Sequence, residues 1–414
     1  MKLILGFSIP LLFGNLFQQF YSMVDTMIVG RVLGTGPLAA VGSTGSITFL
    51  IIGFCLGLCS GFAIPVAQRF GSRDYKELRR FIGNAVWLCV GFGIVLTVLT
   101  VIFCRNILEL MGTPADIIDD AYAYLVIIFA GIPATFLYNM LAGIQRAIGD
   151  SRTPVVILVI ASIINIVLDI VLVVFIPMGV AGAAVATVAS QLIGGVVCLL
   201  YVSKHYEVLK MTREDFKINV PCIKRLLSMG LPMALQTSIT AIGSVILQAS
   251  VNSLGSTVVA SITAGSRLYM FFACAYDAMG VTMSTYSGQN IGARKIDRIG
   301  QGVKACNIVG IIYSVLALLI IVFLGKWMLL LFVDAGETAI INSAYWYLVC
   351  SGLFMIPLTF VNVLRLTIQG MGYSRLALFA GVFEMIARGG VGLFLVPLFG
   401  FNAACFSGPI AWIL

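Results

Sequence analysis

Long apolar runs separated by short polar segments occupy the chain from end to end. A helix that crosses the hydrocarbon core of a bilayer needs about 20 predominantly apolar residues. Runs of this kind predict twelve spanning helices, near residues 3–29, 38–66, 81–104, 121–144, 154–176, 180–203, 229–253, 257–287, 302–324, 342–366, 376–397 and 401–414. Several runs exceed this length, so kinks are expected, with four helix prolines as candidates: Pro10, Pro133, Pro232 and Pro357. The pattern therefore predicts an all-α polytopic membrane protein.

The composition supports this interpretation and excludes the soluble classes. Of the 414 residues, 60% are hydrophobic and 10% are charged, whereas soluble domains carry about a quarter charged residues. Lys2 before an apolar run resembles the start of a signal peptide. However, Asn15 and Asp25 interrupt that run and no small-residue cleavage site follows, so a retained first helix is predicted.

The positive charges lie in alternate loops. With Lys2, the loops after predicted helices 2, 4, 6, 8 and 10 hold 19 of the 25 Lys and Arg residues. The opposite side has about four: Arg31, Arg105, Arg267 and Lys326. This asymmetry predicts cytoplasmic N- and C-termini in the cell membrane. The net charge of +8 is therefore a topology signal, and no nucleic-acid partner is expected.

The two halves of the chain repeat each other. The segment Gln68–Arg73 recurs as Gln289–Arg294, and Gly149–Arg152 recurs as Gly372–Arg375. The helix prolines recur at similar offsets, between 221 and 224 residues. Each copy has six spans, an even number, so both copies have the same orientation and are related by a pseudo-two-fold axis along the membrane normal.

The repeat also predicts the domain organisation. We expect an N-terminal six-helix lobe at residues 1–203, a cytoplasmic inter-lobe loop at 204–220 and a C-terminal six-helix lobe at 221–414. By the same offset, the sequence stops inside helix 12, so that this helix is expected to be incomplete.

Charged residues inside spanning helices are costly and indicate functional sites. Asn165 and Asp169 are four residues apart, so they share one face of predicted helix 5. Asp169 and Thr187 lie equally far from the turn between helices 5 and 6, so they are expected at one depth, and Asp25 falls in a similar layer. This oxygen-rich cluster suits Na⁺ or a proton shared between carboxylates. The alternative is a structural polar network that ties the helices together.

The repeat separates these two possibilities. The counterparts of Asp25 and Asp169 in the second half are near Leu247 and at Gly392. Symmetric packing therefore does not require the two carboxylates, which favours a functional role.

Three further intramembrane charges are candidate substrate or gating residues. Asp277 stands alone on predicted helix 8, where a contact to a cationic substrate and a structural role are both open. Glu384 and Arg388 are four apart on predicted helix 11, which predicts an ion pair. That pair is either structural or part of gating and coupling.

Other chemistry is not indicated. The ten cysteines are scattered through apolar segments without a CxxC pair, and the one histidine, His205, lies in a polar loop. No metal site, catalytic residue or cofactor is expected, and no GxxxxGK[ST] motif that would bind ATP is present. Gly53, Gly57 and Gly61 form two GxxxG steps, for which close helix packing is the expected role.

The run from Pro10 to Asp25-Thr-Met-Ile-Val-Gly30-Arg, the Gln68 and Gln289 segments and the repeat of six helices resemble the MATE (multidrug and toxic compound extrusion) family over essentially the entire chain. The DinF-like branch is indicated, because its cation-site pattern matches Asp25, Asn165, Asp169 and Thr187. The acids that the NorM-like branch carries on helices 7 and 10 are missing here, where helix 10 offers Asn362 and Arg365.

The resemblance implies an ion-coupled secondary transporter and not an enzyme. It implies that a monomer exports lipophilic cations in exchange for Na⁺ or H⁺, by rocking of two lobes around a central cavity. Two alternatives remain. A lipid-linked oligosaccharide flippase of the same superfamily would need several cavity arginines to hold a pyrophosphate, and only Arg365 and Arg388 are well placed. A passive channel would not need buried carboxylates.

Overall fold

The computed structural model describes residues 1–414 except for the side chain of residue 35, and the described residues form helices without a strand. The first half contains α1 (Lys2–Val32), α2 (Thr35–Ser43), α3 (Gly45–Gly71), α4 (Tyr75–Ile102), α5 (Cys104–Leu110), α6 (Ile118–Ala130), α7 (Ile132–Ala147), α8 (Arg152–Asp169) and α9 (Val180–His205). The second half contains α10 (Val220–Asn252), α11 (Ser256–Gly292), α12 (Ile296–Leu329), α13 (Thr338–Leu353), α14 (Met355–Gly370), α15 (Ser374–Gly390), α16 (Val396–Phe399), α17 (Phe401–Cys405) and α18 (Ser407–Ile413).

The apolar helices confirm a polytopic membrane protein. Within the described residues, nine helices are long and apolar enough to cross a membrane, and two bent helix pairs raise the number to eleven. The pairs are α6 with α7, bent by 46°, and α13 with α14, bent by 53°. Pro133 and Pro357 lie just after these two breaks, as the sequence predicts, because proline removes a helical hydrogen bond and favours the start of a helix.

Four predicted spans are less regular than their apolar patterns suggest. The short helix α2 precedes the second span, and the predicted twelfth span, 401–414, consists of α17 and α18. Helix α8 continues into a π-helical turn at Ile170–Phe175, and α15 continues into another at Val391–Leu395. Hydropathy does not distinguish α-helix from π-helix, so the sequence analysis missed both turns.

The chain forms two compact units. The first unit contains Phe13–Ala234 with Ile291–Arg294, and the second contains Met1–Leu12, Leu235–Asn290 and Lys295–Leu414. These bounds differ from the predicted lobes, because the start of α1 packs with the second unit and the start of α10 with the first. The repeat boundary near residues 204–220 describes sequence similarity and not packing, so the lobe assignment stays a prediction.

Close backbone contacts hold α3 against α10 inside the first unit. A Cβ atom at Gly57 would lie 2.6 Å from the Cα of Ala234, and one at Gly61 would lie 2.4 Å from the Cα of Gly230. No side chain fits at these separations. The predicted packing role of the glycine steps is therefore confirmed at Gly57 and Gly61.

Candidate functional site

Asp169 and Asn165 lie deep inside the first unit. Asp169 is the last residue of α8, where the α-helix passes into the π-helical turn. Its side chain is 0% exposed and that of Asn165 is 1% exposed. Because π-helical turns are rare and frequently mark functional sites, the local backbone also makes this segment a candidate site.

The structure brings together the four side chains that the sequence analysis selected. The Nδ2 of Asn165 donates a 3.5 Å hydrogen bond to the Oγ1 of Thr187 on α9. The carboxyl groups of Asp25 and Asp169 approach within hydrogen-bonding reach of each other. These side chains therefore form one cluster, whereas their common depth in the membrane and their role in binding a cation stay predictions.

Several oxygen atoms in this cluster have no donor. They are Oδ1 of Asp25, Oδ1 of Asn165 and both carboxylate oxygens of Asp169. Two carboxylates only accept hydrogen bonds, so their contact becomes favourable only when a proton or a cation lies between them. Burying such oxygens unpaired is costly. The cluster therefore has the donor set that a small hard cation or a shared proton requires.

Two tyrosines beside the carboxylates were missed from the sequence. Tyr21 on α1 and Tyr124 on α6 both lie close enough to Asp25 and Asp169 to interact electrostatically with them. Tyr21 precedes Asp25 by four residues, one helical turn, and this spacing could have identified it.

The corresponding place in the second unit contains no carboxylate. A Cβ atom at Gly392 would lie 3.2 Å from the Cα of Leu247 and 3.2 Å from the Oγ of Ser250. Gly392 and Leu247, the repeat counterparts of Asp169 and Asp25, are therefore in contact, just as the two aspartates are in the first unit. Tight helix packing replaces the acidic pair there, so that, among the residues that the structure describes, this oxygen cluster occurs in the first unit alone.

The second unit instead contains an ion cluster around Glu384. Its Oε1 accepts a 2.6 Å bond from Nη2 of Arg388, which confirms the predicted pair. The structure adds Arg365, whose Nη1 lies 3.6 Å from Glu384 Oε2. Arg388 also donates to Ser244 (2.7 Å) and Arg365 to Asn362 (2.7 Å). The sequence analysis placed Arg365 on predicted helix 10 but did not connect it to Glu384.

Asp277 is not isolated as the sequence suggested. It lies on α11 near Arg365, with which it interacts electrostatically, and its side chain is exposed. The separation in sequence between Asp277 on α11 and Arg365 on α14 hid this relation, since only tertiary packing brings the two residues together. Asp277 therefore belongs to the surroundings of the Glu384 cluster.

Buried polar clusters in a bundle of apolar helices define a class of protein. In a bilayer, intramembrane carboxylates mark ion or substrate pathways, and an acidic pair with unpaired oxygens can exchange a cation. The fold and the site are those of a membrane transporter.

The comparison with known proteins identifies the family. The MatE family model matches residues 10–171 and 232–392, which correspond to the two repeats. The chain therefore belongs to the MATE family of multidrug efflux transporters, whose members are transporters and not enzymes.

Known relatives agree with this assignment. The chain is 32% identical over 340 residues to "Probable multidrug resistance protein YoeA" of Bacillus subtilis (strain 168), a match that covers 80% of this chain and 73% of that protein. It is 27% identical to "DNA damage-inducible protein F" of Escherichia coli (strain K12), over 75% of this chain and 69% of that protein, as expected for the DinF-like branch. A crystal structure of MATE in complex with MaL6 matches with a TM-score of 0.93 at 22% identity, covering 100% of this chain and 93% of that one.

Proposed function

We propose that the protein exports lipophilic cations by antiport against Na⁺ or H⁺, and that the coupling ion binds at Asp25, Asn165, Asp169 and Thr187. The observation that carries this proposal is the set of buried oxygens without donors where the two carboxyl groups meet. A structural polar network would satisfy these oxygens with donors, as Asn165 does for Thr187. An exchangeable ion accounts for the unpaired oxygens without a structural cost.

The substrate class follows from the charge of the site. The same carboxylates that attract the coupling ion attract a cationic substrate, and Tyr21 and Tyr124 beside them add aromatic faces that bind cations. Bound ion then excludes the substrate or weakens its binding, and bound substrate has the same effect on the ion. Each ligand shifts the transporter between its states only by its differential affinity for them. Exchange of one for the other provides coupling.

The second unit carries a second candidate function. Arg365 and Arg388 share the single carboxylate of Glu384, and paired guanidinium groups suit a pyrophosphate. This observation favours a flippase of lipid-linked oligosaccharides. However, both arginines already have partners in Glu384, Asn362 and Ser244, so the arrangement is closer to a closed ion network. We assign Glu384 and Arg388 to gating or structure, and Asp277 to a substrate contact.

Topology and assembly complete the proposal. The loops that carry most Lys and Arg residues face the cytoplasm, both termini lie on that side of the cell membrane, and the transporter acts as a monomer.

His205 is exposed and all ten cysteines are buried. A cysteine that replaces His205 is therefore expected to resist an impermeant maleimide added outside intact cells. Labelling from outside would contradict this orientation.

The function is tested by competition between a cationic dye and the coupling ion. In detergent, raising the concentration of the coupling ion, Na⁺ or H⁺, should weaken the apparent affinity of the wild-type protein for the dye. The reason is that the ion and the dye share the first-unit carboxylates. Asp25→Asn should remove this ion dependence. Asp120→Asn, the same change at an exposed residue near the start of α6, is the matched control and should retain it.

Two results would contradict the proposal. Dye affinity that is independent of both pH and Na⁺ would exclude direct competition. Tight binding of an anionic lipid pyrophosphate without dye binding would favour the flippase.

A further inference from the structure

The first unit contains an apolar groove of about 860 Å³ that the proposed transport cycle does not use. Its walls are formed by α4, α7 and α9, and its floor by the loop between α9 and α10. Val90, Ile94 and Leu199 line it and are also strongly exposed, so the groove opens on the outer surface of the helices. In a bilayer this surface faces lipid.

The groove has one polar end. Ser203 and Lys210 line it where α9 ends and the loop begins, whereas Gly93, Ile94 and Pro133 line the opposite part. Lys210 is the charged residue among its described lining residues, and none of them is acidic. The lining therefore matches an amphipathic occupant with a long apolar tail and an anionic group.

The length of the groove corresponds to one leaflet. Along α4 it extends from Ile82 to Ile94, which is about 18 Å of helix. The hydrocarbon core of a bilayer is about 30 Å thick, so the groove is long enough to extend from one interface to about the middle of the membrane. It ends beside the break between α6 and α7, next to Pro133.

The loop that supplies Lys210 is fixed to α4. Trp87 Nε1 donates to the carbonyl of Phe216 at 2.9 Å, and Arg79 Nε lies 3.5 Å from Asp215. A Cβ atom at Gly83 would lie 2.2 Å from the carbonyl oxygen of Asp215, so the loop backbone packs directly on the helix. These contacts hold the polar end of the groove in place without a ligand.

Lys210 itself is available to an anion. Its Nζ lies 3.7 Å from Glu207, and the two side chains are 64% and 90% exposed. Exposed pairs of this kind contribute little. A phosphate at the membrane interface can therefore displace Glu207 at small cost.

We propose that this groove binds one anionic phospholipid, with an acyl chain along α4, α7 and α9 and its phosphate at Lys210. Because the groove opens toward lipid and is lined by apolar side chains, an acyl chain can fill it. Basic pockets between spanning helices bind anionic head groups in this way. The proposal does not depend on the transported substrate.

The test uses the purified full-length protein and two lipids with identical chains, dioleoyl-phosphatidylglycerol and dioleoyl-phosphatidylcholine. Native mass spectrometry measures the fraction of protein that retains each lipid. Lys210→Gln removes the positive charge, and Lys217→Gln, in the same loop and paired with Glu214 at 3.0 Å, is its control. Gly93→Leu fills the groove, and Gly91→Leu, on the exposed side of α4, is the control for that substitution.

The wild-type protein should retain phosphatidylglycerol over phosphatidylcholine. Lys210→Gln should lower this preference about five-fold, whereas Lys217→Gln should preserve it. Gly93→Leu should reduce retention of both lipids, and Gly91→Leu should not. Equal retention of the two lipids by the wild-type protein would overturn the anionic assignment. Unchanged lipid retention in Gly93→Leu, or a cationic dye that occupies the groove in place of lipid, would overturn the site.

Discussion

At the scale of single residues, Glu384 is the carboxylate that two arginines of the second unit share. Its side chain is 14% exposed and faces two arginines that are 21% and 22% exposed. Glu384→Gln would leave both guanidinium groups without their carboxylate in a largely buried site. We expect a loss of about 2 kcal/mol of stability, less than the roughly 3–5 kcal/mol typical of a broken buried pair, because the cluster is only partly buried.

Thermal unfolding in detergent measures this effect. Glu109→Gln provides the control, since Glu109 pairs with Arg105 at 3.5 Å while both side chains are more than half exposed. The control should unfold at nearly the wild-type temperature. Equal destabilisation by the two substitutions would show that the Glu384 cluster contributes no more than a surface ion pair.

The acidic site could be predicted residue by residue to a large extent. Helical spacing places Asn165 and Asp169 on one face, and a short turn brings Thr187 to the same level, so local geometry was sufficient. Helical spacing could not predict the contacts of Tyr124 and Arg365, because these contacts form between helices that are distant in sequence. An apolar pattern defines which helices are buried but not which faces meet.

At the scale of elements, the turn between α7 and α8 holds the helix that carries Asp169. The Oδ1 of Asp150 accepts hydrogen bonds from the backbone N–H groups of Arg152 (2.9 Å) and Thr153 (3.0 Å), at the start of α8. Its other oxygen accepts a bond from the hydroxyl of Tyr206, just after α9. Asp150 thus caps α8 and ties it to the end of α9.

This cap should depend on pH. Burial opposes ionisation of Asp150, but hydrogen bonds from Thr153, Tyr206 and the backbone outweigh it and lower the pKa of Asp150 below its ordinary value. A depressed pKa in the folded state adds stability above the unfolded pKa of about 4, and this contribution is lost as the pH falls through the folded pKa.

Asp150→Ala should therefore cost about 1 kcal/mol near pH 7, and the difference from the wild-type protein should shrink below pH 4. Unfolding temperatures measured across this range would check it. Asp116→Ala, an exposed loop residue, should change little at any pH. A constant deficit at all pH values would mean that the charge of Asp150 is not involved.

The elements themselves were predictable where the apolar pattern is strong. Proline positions located the breaks before Pro133 and Pro357, since proline disrupts the preceding turn. The π-helical turns after α8 and α15 and the short helix α2 were not predictable. They depend on how the backbone relaxes against neighbouring helices, which hydropathy does not record.

At the scale of the whole molecule, the two repeats have diverged in chemistry while keeping a similar framework. The first unit places carboxylates where the second places Leu247 and Gly392 in contact. The second unit has a network in which Glu384 binds two arginines. This asymmetry is the basis for assigning ion coupling to the first unit alone, which is the central claim of the account.

The most direct test of this claim is ion-driven transport in proteoliposomes that contain the purified protein. Na⁺ and H⁺ gradients are imposed separately, and accumulation of a cationic dye is measured for the wild-type protein, Asp25→Asn and Asp169→Asn. The wild-type protein should concentrate the dye in response to at least one gradient, whereas each variant should lose concentrative transport and remain folded. Dye accumulation that ignores both gradients, or that persists in both variants, would contradict coupling at the first-unit carboxylates.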